Sequence, residues 1–254
     1  MGLSLREHTE TLLPSRVSPE SHAVRERHCV PDYLRKYYWW AYVRPQAVWF
    51  WERQWLINLV LLGNYRKLET AVLEGLGSDL PGRTLQISCC YGDLTPRLAR
   101  NVAESGGTFD VVDILPVQLQ NLRRKLQPDA PVCTEEMDST ALEYADATFD
   151  RVVLFFLLHE QPQEAREQTL REALRVLKPG GTILIMDYAK PAKWHPVRYV
   201  LLPILSFLEP FAVDLWRFEL KDVLPEQFAG RTSGRTWRKT SYFGGLYQRL
   251  VSQG

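Results

Sequence analysis

From Arg83 onward the chain alternates short apolar runs of strand character with amphipathic helical ones, and that alternation limits the possible folds more than any other feature. The runs TLQIS, TFDVVDI, CTEEMDS, FDRVVLFFLL and GTILIMDY are interleaved with TPRLARNVAES, PVQLQNLRRKLQ and PQEAREQTLREALRVLK. Crossovers of that length bring successive strands together in parallel, with helices on both faces. The tail reads differently. RTWRKTSYF, then Gly244 and Gly245, then LYQRLVSQ predicts two antiparallel strands around a tight connection. The expected fold is a doubly wound, Rossmann-like α/β sheet of about seven strands with an antiparallel C-terminal edge hairpin.

Upstream of the sheet the composition changes twice. Residues 1–30 are polar and punctuated by Pro14 and Pro19, which predicts a loose arm. Residues 31–68 form an expected N-terminal helical cap, where five of the eight tryptophans fall between Trp39 and Trp55. Pro45 suits a first helical turn and Gly63 with Asn64 a helix end, framing one helix of about 18 residues. Along it Val48, Trp51, Trp55, Leu59 and Leu62 recur at helical spacing. Residues 69–254 make the main domain, with an apolar insert at about 191–216 that reads as a buried helical pair or as a lid.

Several function classes fall away on composition. A net charge of +1 argues against a nucleic-acid partner, which calls for a strongly basic face. Cys29, Cys89, Cys90 and Cys133 show no zinc-type spacing and suit a reducing cytosol. The N-terminus lacks the apolar core of an export signal, Arg6 removes a myristoylation pattern, and no long apolar run predicts a transmembrane helix.

Ligands of open parallel sheets bind beyond the carboxyl ends of the strands. Four such ends carry polar residues: the turn Ser88 to Asp93, then Asp113 with Ile114, then Asp138 and Ser139 after Met137, then His159 with Glu160. The first has the position of a Gly-rich nucleotide turn, yet Gln86 stands at the usual acidic site, Ser88 and Cys90 replace glycines, and Gly92 alone remains. Asp113 follows at ribose-binding distance, about 20 residues on, although a strand-end cap would also explain it. Asp138 could accept from an adenine amino group. Asp93 could equally cap the helix from Thr95, and His159 could be satisfied by backbone carbonyls. A thiol role for Cys89 and Cys90 is disfavoured, since small buried thiols are common fillers. Asp187 beside Lys190 reads as a weak surface pair.

TLQISCCYGDLT, FDVVDI, MDSTAL, FDRVVLFFLLHE and ALRVLKPGGTILIMDY, in this order, resemble the motif series of class I S-adenosylmethionine-dependent methyltransferases across about residues 70–250. Within that superfamily the block YWWAYVRPQAVWFWERQWLINLVLLGNYRKL and the turn ISCCYGD resemble the rhodoquinone-biosynthesis methyltransferase-like proteins. That resemblance implies conversion of ubiquinone to rhodoquinone, a ring methoxy group being replaced by an amino group from S-adenosylmethionine, with manganese as helper ion. It implies cofactor contacts from Ser88, Cys90, Gly92, Asp113, Ile114, Asp138 and Ser139. Catalytic roles fall to Tyr91, Asp93 and His159, and the candidate metal ligands are Asp93, His159 and Glu160, since hard divalent ions prefer oxygen donors with His tolerated. Methyl transfer to a quinol or phenol, and a quinone carrier without turnover, are the other readings. With a long-tailed quinone implied, the tryptophans interleaved with Arg44, Arg53, Arg66 and Lys67 suit a membrane surface, and the expected location is the cytoplasmic face of the cell membrane, peripherally bound.

Overall fold

The computed structural model describes residues 30–89, 91–196, 198–200, 210–216 and 235–254. Residues 1–29 of the polar arm, Cys90, and residues 197 and 201–209 of the apolar insert lie outside the described residues. The sheet has seven strands: β1 (Arg83–Ile87), β2 (Thr108–Asp113), β3 (Val132–Glu136), β4 (Phe149–Phe155), β5 (Leu177–Tyr188), β6 (Thr236–Tyr242) and β7 (Tyr247–Gln253). Their order is β3-β2-β1-β4-β5-β7-β6. β1 to β5 pair in parallel, and β7 runs antiparallel between β5 and β6. The expected fold class, including the C-terminal hairpin, is the one found.

Side chains alternate across the pleat, so each central strand serves two cores. Val153 and Phe155 of β4 with Leu184 and Met186 of β5 join one cluster, while Val152, Leu154, Ile183 and Ile185 join the other. The first cluster is covered by three helices, α4 (Tyr65–Leu76), α5 (Leu94–Glu104) and α6 (Pro116–Lys125), through Leu68, Val72, Leu98 and Leu119. The second is covered by α7 (Gln163–Val176) through Leu170, Ala173 and Leu174. Each fully buried aliphatic side chain of this kind contributes about 1.5–3 kcal/mol of transfer free energy. Strand order reverses between β1 and β4, which opens the carboxyl edge above those strands.

The cap comprises α1 (Asp32–Tyr37), a π-helical turn at Trp39–Val43, α2 (Pro45–Trp51) and α3 (Gln54–Val60). The single helix expected from Pro45 to Gly63 is therefore two. Arg53 adopts extended backbone, φ −69° and ψ 115°, between them. Beside it the Glu52 carboxylate reaches away to Lys125 at 2.8 Å and Asn121 at 2.6 Å. The break shifts the buried phase: Val48 is buried on α2 and Leu56 and Ile57 on α3, whereas Trp55, Leu59 and Leu62 of the expected stripe are exposed. A last described helix, α8 (Pro210–Leu215), sets Phe211 edge-on against Tyr33 and Tyr37 of α1, with ring centroids 6.2 and 5.4 Å apart.

Candidate active site

Two clefts meet at the carboxyl edge. The first lies over β1, β2 and β3 and is lined by Ser88, Asp113, Ile114, Asp138, Ser139 and Glu160 among others. The second is aromatic, lined by Trp40, Tyr42, Tyr91, Phe156, His159 and Tyr188, and encloses about 140 Å³. Tyr42, Tyr91 and Phe156 line both. They form a shared wall.

In the first cleft Asp113 is the centre. Its carboxylate accepts from Leu115 N at 2.9 Å, Cys89 N at 3.0 Å and Ser88 Oγ at 3.1 Å, with the Cys89 thiol at 3.5 Å. Burial pushes the Asp113 carboxyl above the ordinary aspartate range, against the hydrogen bonds from Leu115, Cys89 and Ser88 that favour its ionised form. The backbone donors are fixed, but the hydroxyl and thiol can rotate away and yield their places to ligand hydroxyls. Asp138 binds Thr140 N and Oγ1 through one oxygen, Oδ1, at 2.8 and 2.7 Å. Two carboxylates on neighbouring strand ends, set among Ile87, Val112, Ile114 and Met137, are chemistry that fits a nucleoside. Ser139 lines the cleft, but its hydroxyl is joined to Thr169 at 2.9 Å and Gln161 at 3.0 Å.

Ser88 adopts the left-handed backbone that favours glycine, with φ +69°. A residue with a Cβ is held there at a cost of about 1–2 kcal/mol, and its bond to Asp113 offsets part of that. Phe156, at φ +53°, is a second left-handed residue, anchored by its N–H to Met186 O at 2.8 Å. Both lie at the clefts, where strain is commonly retained.

The far side of the turn belongs to the cap. Gly92 N donates to Glu52 Oε1 at 3.2 Å, and Gly92 O accepts from Lys125 at 2.9 Å. Asp93 N donates to the Tyr65 hydroxyl at 2.9 Å, while the Asp93 carboxylate accepts from Gln54. Gly92 has φ +86°, and a Cβ there would overlap the Tyr65 hydroxyl. Gly92 and Asp93 thus face Glu52, Gln54, Tyr65 and Lys125 and line neither cleft. The Glu52 carboxylate thus occupies the Gly92 N–H, two residues before α5. Tyr91 is likewise held: its hydroxyl donates to Ala41 O and accepts from Gln118 at 3.0 Å, and its ring stacks on Tyr42 at 5.6 Å. Cys90 lies outside the described residues.

His159 and Glu160 sit on the short turn Leu158–Glu160 after β4. His159 Nδ1 lies 2.9 Å from Asp187 Oδ1, and Nε2 lies 3.7 Å from Glu160 Oε1. Asp187 is fully buried and also accepts from Leu158 N at 2.8 Å, His159 N at 3.4 Å and Tyr188 N at 2.7 Å. The reading of Asp187 as a surface pair is corrected: it holds His159. An ionised carboxylate can only accept, so the proton stands on Nδ1 and Nε2 is the basic nitrogen. The turn is braced by the buried Arg166, which donates to Leu158 O and Gln161 O, each at 2.9 Å, and to Phe211 O at 3.2 Å.

The metal set Asp93, His159 and Glu160 is not assembled, because Asp93 lies against Gln54 of the cap and Tyr65 of α4 while His159 is paired with Asp187. No group of three or more His, Cys, Asp and Glu side chains gathers as a metal site among the described residues. The residues that the sequence reading missed are Asp187, Glu52, Tyr42 and Phe156. Asp187 alone had a signal, as the carboxylate at the end of GTILIMDY, a strand expected to neighbour the one that ends at His159.

Residues 84–181 match the model of a methyltransferase domain. The ubiquinone/menaquinone biosynthesis C-methyltransferase UbiE of Cronobacter sakazakii is 31% identical over 137 residues, 53% of this chain and 53% of that protein. The UbiE protein of Azotobacter vinelandii is 34% identical over 174 residues, 64% of this chain and 67% of that protein. The chain thus matches about half the length of the first relative and two thirds of the second. A S-adenosylmethionine-dependent methyltransferase from Aquifex aeolicus shares the fold, with TM-score 0.54 at 15% identity over 82% of this chain and 97% of that one. By its domain match and its relatives, the chain belongs to the methyltransferase family.

Proposed function

We propose that the protein transfers a group from S-adenosylmethionine, bound over Asp113 and Asp138, to the ring of a quinone held in the aromatic cavity. One observation carries this reading: adjacent residues of a single turn serve the two clefts, His159 lining the aromatic cavity and Glu160 the carboxylate-lined one. The cavity volume of about 140 Å³ suits a six-membered ring, since cavities of about 150 Å³ take up benzene. Tyr42, Tyr91 and Phe156 line both clefts, so the donor group and the acceptor ring meet along these side chains.

The group transferred is the amino group, ubiquinone is the acceptor and rhodoquinone the product. Support comes from the turn, where Ser88 replaces glycine and Glu52 fills the anion-binding side, so the methionine portion of the donor meets a different surface. When bound, S-adenosylmethionine supplies the nitrogen. His159 Nε2 takes a proton from the donor ammonium, and the charge formed is flanked by Asp187 and Glu160. The neutral amine attacks the ring carbon bearing methoxy, methanol leaves with one N–H proton, and the proton on His159 passes to solvent, giving a ring–NH–Cα adduct. Loss of the Cα proton as two electrons enter the quinone ring makes an imine and a hydroquinone, and water hydrolyses the imine to the α-keto acid of the donor and the amino-hydroquinone, the reduced form of rhodoquinone. Asp93, His159 and Glu160 do not fit a manganese ion, and no step is assigned to one. Methyl transfer to a quinol carbon is the second reading, favoured by the C-methyltransferase names of the relatives; His159 would then take a phenolic proton.

Incubation with ubiquinone and S-adenosylmethionine carrying nitrogen-15 in its amino group, followed by mass spectrometry, tests the choice. Label in the quinone is the expected result. Release of S-adenosylhomocysteine with a gain of one methyl group would replace amino transfer by methyl transfer, and neither product would overturn both.

A further inference from the structure

The cap turns a strongly apolar face to solvent. Trp49 is 68% exposed, Trp55 62% and Leu59 63%, and Trp39, Phe50, Val60 and Leu62 are each more than one-third exposed. Such a concentration of large apolar side chains within 24 consecutive positions marks an interaction surface. Its charge is one-sided: between Tyr33 and Asn64 stand Arg35, Lys36, Arg44 and Arg53 against Glu52 alone, and Glu52 is paired with Lys125. The cations lie on the rings. Arg44 is 4.5 Å above Trp39, and Arg53 is 4.0 Å above Trp49 and 5.6 Å from Phe50. Arg53 also lines, with Trp49, Gln120, Asn121 and Arg124, a groove at the border of α2 and α6.

Indole rings beneath guanidinium groups match the headgroup layer of an anionic bilayer, where rings lie at the apolar boundary and cations meet phosphate. Helices of seven residues, α2 and α3, are about 10 Å long and cannot cross a hydrocarbon core of about 30 Å. Among the described residues no helix is long and apolar enough to cross a membrane. Val60 joins the two features, being 43% exposed and also lining the aromatic cavity beside Trp51, Ile57 and Leu61.

From this geometry we infer that the cap docks on an anionic bilayer surface, with the mouth of the aromatic cavity at Val60 facing the lipid, so that an acceptor with an apolar tail enters from the membrane. The entry route rests on the quinone reading above; the docking does not. The full chain is sedimented with vesicles of phosphatidylcholine alone and of phosphatidylcholine mixed with phosphatidylglycerol. Binding is expected on the mixed vesicles, weakening with salt. Arg53→Gln and Arg124→Gln each lower partitioning about fivefold, and Trp49→Ala with Trp55→Ala and Leu59→Ser abolishes it, with circular dichroism unchanged. These variants keep turnover of a short-tailed, water-soluble quinone and lose it with a long-tailed quinone in vesicles. Wild-type protein that stays in the supernatant at low salt overturns the docking, as does a dimer in sedimentation velocity that the three aromatic and leucine changes convert to monomer. Vesicle binding without turnover of either quinone refutes the chemistry and leaves the docking standing.

Discussion

Replacing Asp187 by Asn changes little in shape and one thing in chemistry: one of two acceptor atoms becomes a donor. Oδ2 serves the N–H groups of Leu158 and His159, and Oδ1 serves the N–H of Tyr188 and the imidazole Nδ1. Whichever way the amide turns, its NH2 meets a buried backbone N–H. With the amide oxygen toward Leu158, the NH2 faces Tyr188 N–H and forces the imidazole proton from Nδ1 to Nε2. An orphaned buried N–H costs about 1–3 kcal/mol, and loss of the charge-assisted bond to the ring about 1.5–3 kcal/mol. The total of about 2.5–6 kcal/mol corresponds, at about 2–4 °C per kcal/mol for a chain of this size, to a fall in Tm of about 5–24 °C. Turnover should fall by about 10²–10⁴, the range for removing a positioned base. Thermal denaturation and mass-spectrometric turnover across a pH series, below the variant's Tm, measure both. A variant that loses stability but turns over at the wild-type rate, with an unchanged pH profile, refutes the dyad.

Three further outcomes follow from other features of the site. Ser88→Gly and Ser88→Ala both lose the bond to Asp113, but only glycine relieves the positive φ, so the glycine variant should be the more stable of the two by about 1 kcal/mol in urea denaturation; equal stability would remove the strain. Glu52→Gln should weaken closure of the turn over Gly92 and Lys125, lowering stability by about 1–2 kcal/mol while leaving Asp113-dependent nucleoside binding by calorimetry within about a factor of ten. The paired guanidinium of Arg175, followed by the N–H of Leu142, holds Glu172 below the ordinary glutamate range against the effect of burial. Its folded pKa is depressed, so its contribution is full above the unfolded value of about 4.3 and lost as pH falls through the folded value. Glu172→Gln should therefore show a deficit of about 1–3 kcal/mol at pH 7 that closes in acid; a deficit that persists there would refute the linkage.

The sheet was legible because its pattern is local. Runs such as FDRVVLFFLL are apolar on both faces, which only a strand covered on both sides requires, and the tail showed its turn at Gly244. Asp113, Asp138 and His159 were legible because strand ends are sequence positions. The use of the turn was not. Glu52 reaches Gly92 across 40 residues and Tyr65 reaches Asp93 across 28, and such pairings leave no trace in spacing. Periodicity also misled: the stripe through Trp55 and Leu59 holds only for an unbroken helix, and the chain departs from it at Arg53. Asp187 was misjudged from its neighbour Lys190, although the strand-end rule that identified His159 applied equally to it.

The engagement of the turn by Glu52, Gln54 and Tyr65 bears on modularity. A fragment beginning at Arg83 would carry every strand and every motif of its family, yet its turn would present bare N–H groups at the start of α5. Such a fragment should bind anions at this turn more tightly than the whole chain does, since Glu52 and Tyr65 no longer occupy those N–H groups. Grafting the turn alone onto another methyltransferase would likewise carry over its residues without the contacts that hold them, because Glu52, Gln54 and Tyr65 all lie upstream of it.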